Sequence, residues 1–350
     1  MGFIADLGIK WTEQGVLPDS VVRAGIRRLL KERLDQIAAD DAERSSELAA
    51  AFFDELRQAP LALVPEKANE QHYEVPADFF GACLGPARKY SGCWWPEGTQ
   101  TLEQAEVAAL IATCERAGLD QGQRILELGC GWGSLTLFMA ERYPGSQITA
   151  VSNSASQREY IEAQALKLGL QNVTVLTRDM NVFETDKRYD RIVSVEMFEH
   201  MRNWPALFRR LSGWLAPGGR FFMHVFVHRS VPYAFVELDD TDWMSKYFFS
   251  GGMMPSDDMA AQFQDDLRLV RRWRWDGTHY ERTSNAWLAN MDAARDALKP
   301  VLEQAYGADA EIWRQRWRVF YMAVAELFGY DHGQQWWVGH YLFEKREAVA

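Results

Sequence analysis

The sequence predicts an α/β fold, a doubly wound and largely parallel sheet, on three observations. From about residue 101, helical stretches alternate with short apolar strands. The first of these strands runs straight into a glycine-rich turn, and the strands after it end in polar residues suited to holding a ligand. A helical region precedes this core and an aromatic-rich stretch follows it. The expected organisation is therefore a helical region and lid over 1–100, an α/β core over 101–228, and a substrate-binding cap with a closing strand over 229–350.

Residues 1–65 read as helical. The run VVRAGIRRLLKERLDQIAA places Val22, Ile26, Leu29, Leu30 and Leu34 on one stripe, and Pro60 and Pro65 end the pattern. The opposite face carries Arg23, Arg27, Arg28, Lys31 and Arg33. Such a face suits anionic lipid, but in an acidic chain internal ion pairs are its commoner use, so membrane contact is not expected.

The core then reads TLEQAEVAALIATCERAG (helix), RILELG (strand), SLTLFMAERY (helix), QITAVSN (strand) and SQREYIEAQALKLG (helix). It continues as VTVLTRD and RIVSVEMF (strands), ALFRRLSGWLAPGG (helix) and RFFMHVFVH (strand). Beyond residue 229 the alternation breaks: an aromatic stretch runs to about 260, helical stretches cover 284–305 and 309–328, and WWVGHYLFEKR reads as a closing strand. Eight of the 14 tryptophans fall in this last part, which suggests a cap over a substrate, although at least half of them are expected to be plain core.

Composition excludes several functions. A net charge of −11 disfavours a nucleic-acid partner, because phosphate binding rests on clustered Lys and Arg. The four cysteines form no C-x-x-C pair and are too sparse for a disulfide framework, so a reducing cytoplasm is expected. No window approaches the roughly 18 apolar residues of a membrane span, the N-terminus lacks an export design, and Asp6 stands where myristoylation requires Ser or Thr. No His/Cys/Asp spacing suggests a metal, and a homodimer stays open.

The first strand and its turn read RILELGCGWGSL, or E-x-G-x-G-x-G. Gly129, Gly131 and Gly133 let the backbone turn sharply and approach a ligand, and Glu127 offers an acceptor beside the turn. A dinucleotide site would read G-x-G-x-x-G and open its helix towards a pyrophosphate. This spacing suits a cofactor with an amino-acid end and a ribose, S-adenosylmethionine. Asn153 and Gln157 after the second strand are placed for the ribose, and Asp179 and Met180 after the third for the adenine amino group and ring.

The fourth strand ends in SVEMFEHMRNW, which gathers Glu196, Glu199 and His200 within five residues. If the segment turns into a helix, Glu196 and His200 share a face. Methyl transfer from a sulfonium is an in-line displacement, so an enzyme has to align the nucleophile and remove its proton. An amine arrives mostly as ammonium at neutral pH, which makes His200 the natural base or relay and Glu196 or Glu199 its orienter or the partner of the nitrogen. The alternative is that Glu196 contacts cofactor and His200 caps a helix. His224 and His228 alternate along the fifth strand and read as buried structure.

The chain resembles the cyclopropane-fatty-acid-synthase superfamily of methyltransferases, and within it the plant coclaurine N-methyltransferase type. The likeness runs through NEQHYEVP (69–76), YSGCWW (90–95), LELGCGWGSLTL (126–137), VSNSASQREYIE (151–162), EMFEHMRNW (196–204), DDTDWMSKYFFSGGMMPS (239–256), GTHYERTSNAWL (277–288) and ELFGYDHGQQWWVGHYLF (326–343). It implies a Rossmann-like class I methyltransferase with a catalytic pair at Glu196 and His200 and with Glu199 against the substrate nitrogen. It further implies cofactor contacts at Tyr90, Ser91, Gly129, Asn153, Gln157, Asp179 and Met180, and substrate contacts at Tyr73 and Glu74. The lipid-cyclopropanating branch typically has Y-S-C where this chain has Tyr90-Ser91-Gly92, and a bicarbonate-holding tyrosine is not evident at AELFGY. The expected activity is N-methylation of a small lipophilic aromatic amine, tetrahydroisoquinoline-like or phenethylamine-like. A cyclopropane-fatty-acyl-phospholipid synthase-like lipid reaction is the alternative.

Overall fold

A computed structural model describes residues 2–62, 75–235 and 243–346 of the chain. Three helices come first: α1 (Gly2–Glu13), α2 (Asp19–Gln36) and α3 (Ala42–Gln58), followed by the short α4 (Ala77–Cys83). The core begins with α5 (Leu102–Ala117), whose start is fixed by a capping box between Thr101 and Gln104 and whose end is set by left-handed Gly118. β1 (Arg124–Leu128), α6 (Ser134–Arg142), β2 (Gln147–Ser152), α7 (Ala155–Leu168), β3 (Val173–Thr177), β4 (Tyr189–Val195), α8 (Trp204–Trp214) and β5 (Leu215–His228) complete the predicted alternation.

Seven strands form the main sheet in the order β3-β2-β1-β4-β5-β9-β8, where β8 is Leu267–Trp275 and β9 is Trp336–Lys345. β1 to β5 pair in parallel, and β9 runs antiparallel between β5 and β8. Strand order reverses between β1 and β4, which opens a crevice at their carboxyl ends. The α/β class and the closing strand are thus as expected. β8 was not: it holds four arginines in nine residues and reads as polar, because it is an edge strand whose outer side faces water.

Helices α10 (Gly277–Ala293), α11 (Arg295–Tyr306) and α12 (Ala310–Gly329) follow β8, after α9 (Trp243–Tyr247) and the two-stranded ribbon β6 (Tyr233–Ala234) and β7 (Met253–Met254). The stretch read as one helix over 284–305 is two, broken at Ala294. Trp287, Trp317 and Tyr321 fill the seam between α10 and α12. The basic face of α2 is largely exposed and carries ion pairs, as anticipated: Arg23 and Arg27 both reach Glu326 of α12, at 2.9 and 2.7 Å, and Arg28 pairs with Glu32 along the helix. No helix among the described residues is long and apolar enough to cross a membrane. All four cysteines are free and buried.

Candidate active site

The ends of β1, β2 and β3 and the turn after β4 line a narrow, partly open cleft of about 70 Å³. Gly129, Gly131, Asn153, Gln157, Asp179 and Met180 all line it. Two glycines serve it differently. At Gly129, with φ +78°, a Cβ would stand 2.6 Å from Cβ of Met197, whereas Gly131 faces open space. Gln157 is buried and takes the Ser152 hydroxyl on Oε1 at 2.7 Å, and Asp179 accepts the Asn181 N–H at 2.8 Å. Amides, a carboxylate and a thioether around a side-chain-free turn fit the ribose, adenine and amino-acid end of S-adenosylmethionine.

Three other expected contacts lie away from that lining. Glu127 is buried beneath the turn and accepts the Thr136 hydroxyl; burial pushes its carboxyl up to about 8. Ser91 is buried, its hydroxyl oxygen accepting from Lys89 Nζ at 2.6 Å. Tyr90 packs its ring between Phe80 and Trp287, at 4.9 and 5.7 Å. Tyr73 and Glu74 lie outside the described residues.

Glu196, Glu199 and His200 follow β4 directly. The segment does not form the α-helix that would have aligned Glu196 with His200. Glu196 adopts φ +48°, and Phe198–His200 make a single 3₁₀ turn. A non-glycine residue in the left-handed region costs on the order of 1–3 kcal/mol and clusters at functional sites. The strain turns Glu196 inward beneath the sheet end while His200 reaches the cleft wall beside Met197 and Met201.

Burial shapes the protonation of all three. It lowers the His200 imidazole to about 4, against the attraction of Glu196, so the ring is a neutral base at pH 7. Glu199 is fully buried; burial and then the Glu196 charge raise its carboxyl well above the usual range, which favours its protonated form. Its Oε1 accepts the Phe226 N–H at 2.8 Å, while its buried Oε2 has no partner among the described residues. Burial also raises Glu196, opposed by the Lys89 charge, the Gly92 N–H and the Tyr280 hydroxyl.

Those donors are the part of the site that sequence reasoning missed. Gly92 N–H donates to Glu196 Oε1 at 2.8 Å, Tyr280 O–H to Oε2 at 2.8 Å, and His224 Nε2 stands 3.1 Å from Oε1. A Cβ at Gly92 would lie 3.0 Å from the Tyr280 ring, so glycine permits this approach. Tyr280 sits in the segment GTHYERTSNAWL, visible in the sequence only as part of a longer likeness. His224 and His228 are both wholly buried, as expected; His228 Nδ1 accepts the backbone N–H groups of Ser230 and Val231, whereas His224 also reaches Glu196.

An aromatic wall adjoins the carboxylates. Phe249 lies 4.5 Å from the His200 ring, Phe226 5.8 Å from Phe249, and Tyr280 stacks on Phe328 at 4.3 Å. The wall is phenylalanine and tyrosine. Five of the eight tryptophans after residue 229 are buried core, as half or more were expected to be.

A family model for mycolic acid cyclopropane synthetase matches residues 64–334. The (S)-coclaurine N-methyltransferase of Thalictrum flavum subsp. glaucum is 37% identical over 343 residues, 97% of this chain and 95% of that one. The cyclopropane-fatty-acyl-phospholipid synthase of Escherichia coli (strain K12) is 33% identical over 228 residues, 65% of this chain and 56% of that protein. Among solved structures, a coclaurine N-methyltransferase bound to N-methylheliamine and SAH superposes with a TM-score of 0.94 at 36% identity, covering 98% of this chain and 99% of that one.

Proposed function

Since the chain belongs to the mycolic acid cyclopropane synthetase family and is an S-adenosylmethionine-dependent N-methyltransferase, we propose that its acceptor is a small lipophilic aromatic amine of the tetrahydroisoquinoline or phenethylamine class. One observation carries this: a neutral imidazole on the wall of the cofactor cleft lies against an aromatic ring and beside two buried carboxyl groups, one met by three uncharged donors and the other with an unpartnered buried oxygen. The full-length similarity to a coclaurine N-methyltransferase supports the same class.

The cleft residues Asn153, Gln157, Asp179 and Met180 would hold the cofactor, which when bound supplies an electrophilic methyl group. Glu196 attracts the ammonium form of the substrate, and the Phe226–Phe249 surface receives its ring. His200, uncharged at neutral pH, takes the proton and frees the nitrogen lone pair. Glu199, whose buried Oε2 has no partner among the described residues, is the group assigned to bond the nitrogen and fix its direction. With every cysteine free and buried, a reducing cytoplasm is the proposed setting.

The lipid reading has less behind it. Arg23 and Arg27 of α2 are paired with Glu326, which leaves less of that face's charge for a membrane. The test is a panel of tetrahydroisoquinolines and phenethylamines with isotopically labelled cofactor, scored by mass gain. Labelled amines are expected, with His200→Ala slower by about 10²-fold or more. Label entering phospholipid vesicles but no amine overturns the assignment, and a wild-type rate in His200→Ala removes the base from His200.

A further inference from the structure

Glu196 sits at one end of a buried chain of polar groups that the reaction scheme does not use. His224 Nε2 lies 3.1 Å from Glu196 Oε1, His224 Nδ1 lies 2.9 Å from His340 Nε2, and His340 Nδ1 lies 2.6 Å from Arg116 Nη1. Both histidines are wholly buried. The chain is built by register: His224 of β5 and His340 of β9 are directly opposed in the antiparallel pair, so their rings share a face. Arg116, from the last turn of α5, closes the far end, stacked among Trp94, Trp273 and Trp275 at 5.2–5.9 Å.

The direction of the protons follows from donor chemistry. A guanidinium only donates, so His340 Nδ1 must be bare and its proton must sit on Nε2. That N–H then points at His224 Nδ1, which must also be bare, leaving the His224 proton on Nε2, aimed at Glu196. A second proton on either ring would set N–H against N–H or against the guanidinium. We propose that Arg116, His340 and His224 form a tautomer-setting chain in which a fixed cation at the core's outer side delivers an N–H to Glu196 Oε1 and holds that carboxylate ionised and oriented for the substrate cation.

These are positioning residues, acting through Glu196. The other groups that face the chain agree with this polarity. Lys89, buried above it, disfavours extra protons on both rings and favours charge on Glu196, and Tyr280 supplies the donor to Oε2. Arg271 and Glu115 flank Arg116, and the Trp275 ring packs against both imidazoles, at 5.6 and 4.3 Å. The aromatic cage around Arg116 explains why a cation is tolerated there. It also uses three of the tryptophans.

The role given to Glu196 rests on the amine reading, but the tautomers do not, and the two can be tested apart. In the full-length protein labelled with ¹⁵N-histidine, His224 and His340 are expected to show a protonated Nε2 and a bare Nδ1 from pH 6 to 9, with no substrate present. A protonated Nδ1 on either ring overturns the chain. Arg116→Met is expected to scramble this pattern, to lower kcat with an amine acceptor by about tenfold or more, and to move the acid limb of the kcat/KM profile to higher pH. Arg116→Lys, which keeps a donor-only cation, is expected to restore both. An unmoved acid limb in Arg116→Met, or an Arg116→Lys variant as impaired as Arg116→Met, refutes the positioning role. Should Arg116→Met not fold, His340→Leu, which can neither accept from Arg116 nor donate to His224, gives the same readout, an unmoved acid limb again being the refuting result. No amine turnover at all, with the tautomers as stated, would defeat the amine reading alone.

Discussion

Replacing Tyr280 with Phe removes one oxygen and little else. The ring keeps its stack on Phe328 at 4.3 Å, but the 2.8 Å hydrogen bond to Glu196 Oε2 is lost in a buried site that water does not refill. A hydrogen bond to a charged group is worth about 1.5–3 kcal/mol. Since about 1.4 kcal/mol corresponds to one pH unit, the acid limb of kcat/KM is expected to rise by about one to two units. The stability change has a sign as well. Burial already raises Glu196 above its unfolded value, so between those two values the folded protein holds a proton there that the unfolded chain has released, and above the folded value the group is charged in both. Stability from this group is therefore full at low pH and falls as pH rises through the folded pKa. Tyr280→Phe should match the parent in thermal unfolding near pH 4 and fall below it at pH 8. Coincident pH-rate profiles for parent and variant would refute the assignment of Tyr280 as the donor that keeps Glu196 charged.

Two further perturbations test the framework around the site. Gly129→Ala places a methyl 2.6 Å from Met197 Cβ at φ +78°, so both backbone and neighbour must shift; cofactor affinity by calorimetry is expected to fall at least about tenfold, given strain of roughly 1–3 kcal/mol. Glu127, pushed up to about 8 by burial, is protonated in the fold at pH 6 and contributes stability that is full below its unfolded value of 4.5 and lost as pH rises to about 8. Glu127→Gln should thus unfold like the parent near pH 5 and gain on it steadily up to pH 8. A constant gap across that range would mean that Glu127 is ionised in the fold.

Much of the sheet was legible because its periodicity and punctuation are local. Apolar runs of five or six residues, a Ser cap at 154 and glycine stops at 118 and 169 mark β1 to β3 and the helices between them. β8 was not legible, since an arginine-rich edge strand carries its information in the partner it pairs with. The same division holds at the site. Cofactor residues fall at strand ends that the topology brings together, so sequence order predicts their convergence. The partners of Glu196 come from positions 92, 224 and 280, and nothing local joins a loop glycine, a mid-strand histidine and a helix tyrosine.

That dispersal bears on the choice of nucleophile. A buried carboxylate met by a guanidinium or ammonium at contact distance would be neutralised and would offer little to an incoming cation. Glu196 instead receives its three donors from an amide, a phenol and an imidazole, all uncharged. Lys89, whose charge favours the ionised form of Glu196, makes its own hydrogen bonds to Ser91 Oγ and Gly92 O and not to the carboxylate. Neutral donors lower the energy of the anion without cancelling its field, so the charge stays available across a low-dielectric gap. Such a site rewards a substrate that arrives positive and must shed a proton to react. An alkene arrives uncharged and becomes positive only after the methyl group has been transferred, so the charge of Glu196 would not help to draw it in.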